Sequence, residues 1–228
     1  MKNFIITTAA ILGVVAILIL GIWGLDHFTS RPSMVMTNNE CEAPCWYGIQ
    51  PGVTTSWQAY DILSTIDVIT NNSIYGEYDR NGAVTSWYWL FHRPASDGGG
   101  SVYVANNRVT AISILTVDSL KLRDFITKYG EPDQYWTEIG YGENREYLEI
   151  TLFYANKRYV VNLVIDTEGD SKQVEVKGSS QVMRVTFFKP DLLNGLLETR
   201  ILIDKTKSAR KGTFIPWTGY GTITFFDR

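Results

Sequence analysis

Histidine and cysteine are scarce here, two of each in 228 residues. A structural zinc site needs about four N or S ligands, and Cys41 and Cys45 have only His27 and His92 to join them, so no metal site is expected. Long basic runs are also missing. The formal charge is −3, and Lys205-Thr-Lys207-Ser-Ala-Arg210-Lys211 is short enough to be a solvated loop, which argues against nucleic acid as a partner. No G-x-S-x-G elbow occurs, and a histidine-based triad would have to use His92, at a strand end beside Arg93-Pro94. Gly98-Gly99-Gly100-Ser101 lacks the lysine of a phosphate loop and precedes a strand, so it reads as a hairpin connection. Asp166-Thr-Glu-Gly-Asp170 has Ser171 and Lys177 where a calcium loop requires Gly and Glu. These absences leave no catalytic residue, cofactor or metal to assign.

One long apolar run is present. Phe4 to Leu25 is 22 residues without a charge, and at about 1.5 Å per residue a helix of that length covers roughly 33 Å, enough for a hydrocarbon core of about 30 Å. The competing reading, a cleaved secretory signal, calls for a shorter apolar core and an A-x-A site, and Trp23-Gly24-Leu25-Asp26-His27-Phe28 has none. Residues 1–25 are therefore expected to be an uncleaved single-pass anchor. Lys2 before it and only Arg31 soon after place the N-terminus in the cytoplasm and the C-terminal domain outside the cell membrane. Cys41 lies too far beyond Leu25 to carry a lipoprotein lipid.

The two cysteines fit such a compartment. In Cys41-Glu-Ala-Pro-Cys45 a tight turn can bring the Cα atoms to the roughly 4.4–6.8 Å that a disulfide needs. C-x-x-x-C is not the redox C-x-x-C spacing, so a structural staple is expected.

After the anchor, 26–40 is polar and aperiodic and reads as a spacer; 41–228 is the folded domain. Thr55-Ser-Trp-Gln58 has the form of a capping box leading into Trp57, Tyr60, Ile62, Leu63 and Ile66. Short β-rich runs follow at 74–79, 83–92, 101–105 and 109–117, separated by Arg80-Asn-Gly82, Asp97-Gly-Gly-Gly100 and Asn106-Asn107. The order then recurs: a helix from Ser119 stopped by Gly130 and Pro132, then strands at 134–139, 146–154, 159–165 and 182–188. The expectation is an α+β domain made of two helix-plus-antiparallel-meander units, about 50–117 and 118–189, with a tail 190–228 that includes a third helix at 192–199.

Pro44-Cys-Trp-Tyr-Gly-Ile-Gln-Pro-Gly-Val-Thr-Thr55, Tyr129-Gly-Glu-Pro132 and Trp217-Thr-Gly-Tyr-Gly221 together resemble an uncharacterised family of exported, membrane-anchored bacterial proteins with a P-C-W-x-G-I-x-P-G-x-T-T motif. The resemblance implies export and a shared fold and brings no activity. A looser similarity, carried by Gly52-Val-Thr54 and Gly130-Glu-Pro132, is to the small lipoproteins of outer-membrane assembly and to β-lactamase-inhibitor-like domains. It implies a helix on an antiparallel sheet and non-enzymatic work.

The aromatic residues are the functional candidates. Strand alternation in Ser86-Trp-Tyr-Trp-Leu-Phe-His92 puts Trp87, Trp89 and Phe91 on one face and Tyr88, Leu90 and His92 on the other. Either both faces are covered, or Trp87, Tyr88 and Trp89 form an open platform for a glycan or protein; Trp46 and Tyr47 pose the same alternative. The leading expectation is a membrane-anchored, extracytoplasmic, non-catalytic binding or protein-interaction domain, with an envelope protein or glycan as partner. The alternatives are a carboxylate-based hydrolase of envelope glycans, using glutamates such as Glu143, Glu146 and Glu149, and a structural assembly scaffold.

Overall fold

The computed structural model describes residues 33–37, 41–92, 98–116, 120–141, 146–154, 156, 158–167, 173–189 and 214–224. These residues belong to one compact unit. Local chemistry starts one helix and ends another where the sequence places them. Thr55 caps α2 (Ser56–Thr65) through a complete capping box, its N–H donating to Gln58 Oε1 at 3.0 Å while its Oγ1 accepts from the Gln58 N–H. Gly130, at φ 83°, ends α3 (Leu122–Tyr129) and donates to the Ile126 carbonyl. Before them comes a helical turn, α1 (Met34–Thr37), within the stretch read as spacer; its Val35 is fully buried. Its carbonyls at Val35 and Met36 accept from Tyr129 Oη and Lys128 Nζ of α3.

The strands are β1 (Tyr75–Tyr78), β2 (Val84–Leu90), β3 (Gly99–Ala105), β4 (Arg108–Leu115), β5 (Gln134–Tyr141), β6 (Glu146–Tyr154), β7 (Tyr159–Asp166), β8 (Gln173–Val176), β9 (Val182–Phe188), β10 (Ile215–Pro216) and β11 (Gly221–Thr224). Asn106 and Asn107, at φ 51° and 57°, turn β3 into β4 in the left-handed geometry that tight hairpins require. Gly99 and Gly100, read as a flexible connection, instead lie inside β3, where Gly100 pairs with Trp89. A side chain at Gly100 would collide with the Trp89 ring and with the Ser113 carbonyl oxygen. Glycine here is a packing requirement.

The two meanders do not form separate units. Strand β9 pairs antiparallel with β4 on one side and β7 on the other, Phe187 lying opposite both Ile112 and Tyr159. This yields one nine-stranded sheet in the order β1-β2-β3-β4-β9-β7-β6-β5-β10, with β8 and β11 pairing apart from it. The expected α+β fold of two helix-plus-meander units is thus corrected to a predominantly antiparallel β fold. Local periodicity finds each strand, but the long-range pairing of β9 decides that they share one sheet. One sheet face carries the main core: Trp87, Trp89, Val102, Ile112, Val185, Phe187, Val161 and Leu152 cluster with Ala59 and Leu63 of α2, Leu122 and Phe125 of α3, and Val174, Val176 and Ile223 of the small sheet. The other face holds a smaller cluster of Ala111, Phe153, Val160 and Phe188.

The single-pass membrane localisation is corrected as well. No helix among the described residues is long and apolar enough to cross a membrane. The longest of them, α2, has 10 residues, about 15 Å, half of a hydrocarbon core. Residues 4–25, on which that expectation rested, lie outside the described residues, as do the expected helix 192–199 and the basic stretch 205–211.

Candidate functional site

The surface that stands out lies where α2 crosses the β1–β2 hairpin. Helix α2 buries Ser56, Ala59 and Leu63, a stripe at i, i+3 and i+7. That stripe turns Trp57, between two of its members, toward solvent. Trp87 of β2 rises beneath it, 3% exposed, and its indole N–H donates to the Ser56 carbonyl oxygen and Oγ at 3.1 and 3.0 Å. Three rings surround the buried indole: Tyr60 at 4.8 Å, Trp57 at 5.3 Å and Tyr78 at 6.4 Å between centroids. Trp57 and Tyr78 are each 55% exposed. Gly76, opposite Trp87 in the register, leaves room for the indole; a Cβ there would sit 2.7 Å from it.

The other face of the hairpin is aromatic too. Tyr75 stacks on Tyr88 at 5.1 Å, and the Tyr88 hydroxyl donates to Glu77 Oε2 at 3.0 Å. Burial, with the Glu77 carboxylate adding to it, holds the Tyr88 phenol above its ordinary value. Of the eight exposed large hydrophobic residues among the described ones, Val53, Trp57, Tyr75, Tyr78 and Leu90 all belong to the segment 53–90.

The disulfide forms between Cys41 and Cys45, with Cα atoms 5.7 Å apart. Directly after it Trp46 and Ile49 exchange backbone hydrogen bonds at 3.0 and 2.9 Å. This tight loop lays Trp46 on Trp89, with centroids 5.4 Å apart and planes 18° from parallel. Trp46 and Trp89 are 0% and 1% exposed, and neither indole N–H has a hydrogen-bond partner among the described residues. Tyr47 sits edge-on to Trp46 and lines a groove of about 350 Å³ with Met34, Ile62, Thr65, Ile66, Asp67 and Val68.

Of the aromatic candidates named from the sequence, Trp46, Trp87 and Trp89 are buried, while Tyr47 and Tyr88 are half-buried. Trp57, one of the apolar residues that follow the capping box, Tyr75 and Tyr78 are more than half exposed. The Ala59–Leu63 spacing, taken alone as the buried stripe, would have placed Trp57 outside. Glu146 and Glu149 both lie on β6. Glu149 lies opposite Glu138 across β5–β6, its Oε1 accepting from Asn162 Nδ2 at 3.0 Å. Glu146 begins β6 and is exposed, and Glu143 is outside the described residues. His92 meets the Asp67 carbonyl oxygen at 2.7 Å through Nε2. Among the described residues no group of three or more His, Cys, Asp or Glu is placed to hold a metal ion. Comparison with known proteins finds no matching family model, no similar curated protein and no similar solved structure.

Proposed function

We propose that this protein is a non-catalytic binding domain that engages a protein partner through the aromatic surface formed by Trp57, Tyr60 and Tyr78. The observation that carries this reading is the exposure of Trp57 and Tyr78 around a fully seated Trp87. Burying large apolar rings is the main favourable term in folding, yet Trp57 and Tyr78 stay more than half exposed against the buried Trp87 ring. Tyrosine and tryptophan are enriched at interface centres because they bring a large rigid area with a polar edge. The rings are already held by packing, so a partner would meet a preorganised surface.

The test is a double variant, Trp57→Ser/Tyr78→Ser, compared with the wild type for recovery of the same crosslinked partner. Both side chains are exposed, so the fold should survive, which circular dichroism checks. Loss of the partner with the fold intact supports the reading; undiminished recovery rejects it.

A further inference from the structure

The groove beside Tyr47 has a chemistry of its own. Its volume, about 350 Å³, falls within the small-ligand range of roughly 300–1,000 Å³. Met34, Tyr47, Ile62, Ile66 and Val68 supply the apolar half of its lining, Thr65 adds a hydroxyl, and Asp67 is the one charged residue among the described lining residues. Asp67 is exposed and stands just past the C-terminus of α2, the negative end of the helix dipole. That end has no basic residue in its last turn. Asp61 is a second exposed carboxylate on α2 and is not among the described lining residues, and His92 approaches the Asp67 main chain. From α3, Lys128 is held at the Met36 carbonyl oxygen at 2.7 Å and lies 5.3 Å from the Tyr129 ring centre.

We infer that this groove binds a small organic cation, an ammonium group carried on an apolar body. The ammonium pairs with Asp67 at the α2 C-terminus, and the apolar body lies against Tyr47, Ile62, Ile66 and Val68. The Tyr47 ring adds a polarisable face suited to a cation. An anion would meet a carboxylate and a negative helix end, and a neutral apolar ligand would leave the Asp67 charge unused. This site is separate from the Trp57–Tyr78 surface and stands or falls independently of it.

The test uses the whole ¹⁵N-labelled chain titrated with hexylamine, which is protonated at neutral pH, and with neutral hexan-1-ol. Hexylamine is expected to shift the amide signals of residues 62–68 and to bind about fivefold more tightly than hexan-1-ol, the gain one exposed ion pair supplies. Asp67→Asn, an exposed substitution, should abolish that preference. Equal binding of the two probes, absence of shifts at 62–68, or a preference that survives in Asp67→Asn would each overturn the proposal. A response to a lysine-bearing peptide where hexylamine gives none would equally overturn it in favour of a protein ligand.

Discussion

The Trp87 indole N–H reaches two oxygens of Ser56 at 3.1 and 3.0 Å, whereas the Trp89 N–H, two residues along the same strand face, reaches none among the described residues. Substitution by phenylalanine removes the same atoms at both positions but breaks a satisfied bond only at Trp87. Losing a made hydrogen bond costs about 1 kcal/mol, while deleting an unpaired buried donor removes a desolvation cost. Trp87→Phe is therefore expected to be the more destabilising of the two by about 1 kcal/mol or more in chemical denaturation. Equal losses would show that the bond to Ser56 contributes nothing.

Gly100 lies under the Trp89 ring, where a Cβ would also come 2.6 Å from the Ser113 carbonyl oxygen. Backbone on that side is fixed by the β3–β4 ladder, so Gly100→Ala cannot be relieved by a flexible side chain. The expected loss is about 1–3 kcal/mol, read as a lower denaturation midpoint with unchanged slope.

The Cys41–Cys45 bridge closes a very short loop, so chain entropy gives it roughly 2 kcal/mol of stabilisation. Its second effect is local, because Trp46 follows Cys45 directly and stacks on Trp89. Cys41→Ser/Cys45→Ser should lower the melting temperature and shift tryptophan emission toward the red before global unfolding. Reductant should reproduce both changes in the wild type and leave the double variant unaltered.

Tyr154 and Tyr159 pack together with centroids 4.6 Å apart, and burial raises both phenols above their ordinary value. Above a pH of about 10 the unfolded chain ionises these tyrosines while the folded chain still keeps them neutral. Stability that is complete below that pH should therefore fall as pH rises, by up to about 1.4 kcal/mol per unit for each tyrosine. Denaturation at pH 9, 10 and 11 measures the slope. Tyr159→Phe should reduce it, and an unchanged slope would show that Tyr159 ionises as freely folded as unfolded.

Elements signalled by neighbouring residues were legible in the sequence. The capping box at Thr55, the stop at Gly130, the Asn106-Asn107 turn and the limits of β6 and β9 all follow from local chemistry. What joins distant segments was not. Nothing around Val182–Phe188 announces that it will zip two meanders into one sheet, and β8 meets β11 across a separation that no periodicity records. The aromatic surface was half legible for the same reason. Alternation sorts Trp87 and Trp89 onto one face, but what covers that face is a tertiary fact: α2 lies over Trp87 and Trp46 over Trp89, while Trp57 and Tyr78 stay outside.

The most direct test of the proposed partner surface places a photoreactive amino acid at position 57 or 78 of the full chain in its native cells, with the exposed position 175 of β8 as reference. The same discrete adduct from positions 57 and 78, absent from 175 and lost when the companion ring is replaced by serine, is the predicted result. No adduct from 57 or 78, or an equal yield from 175, would contradict it.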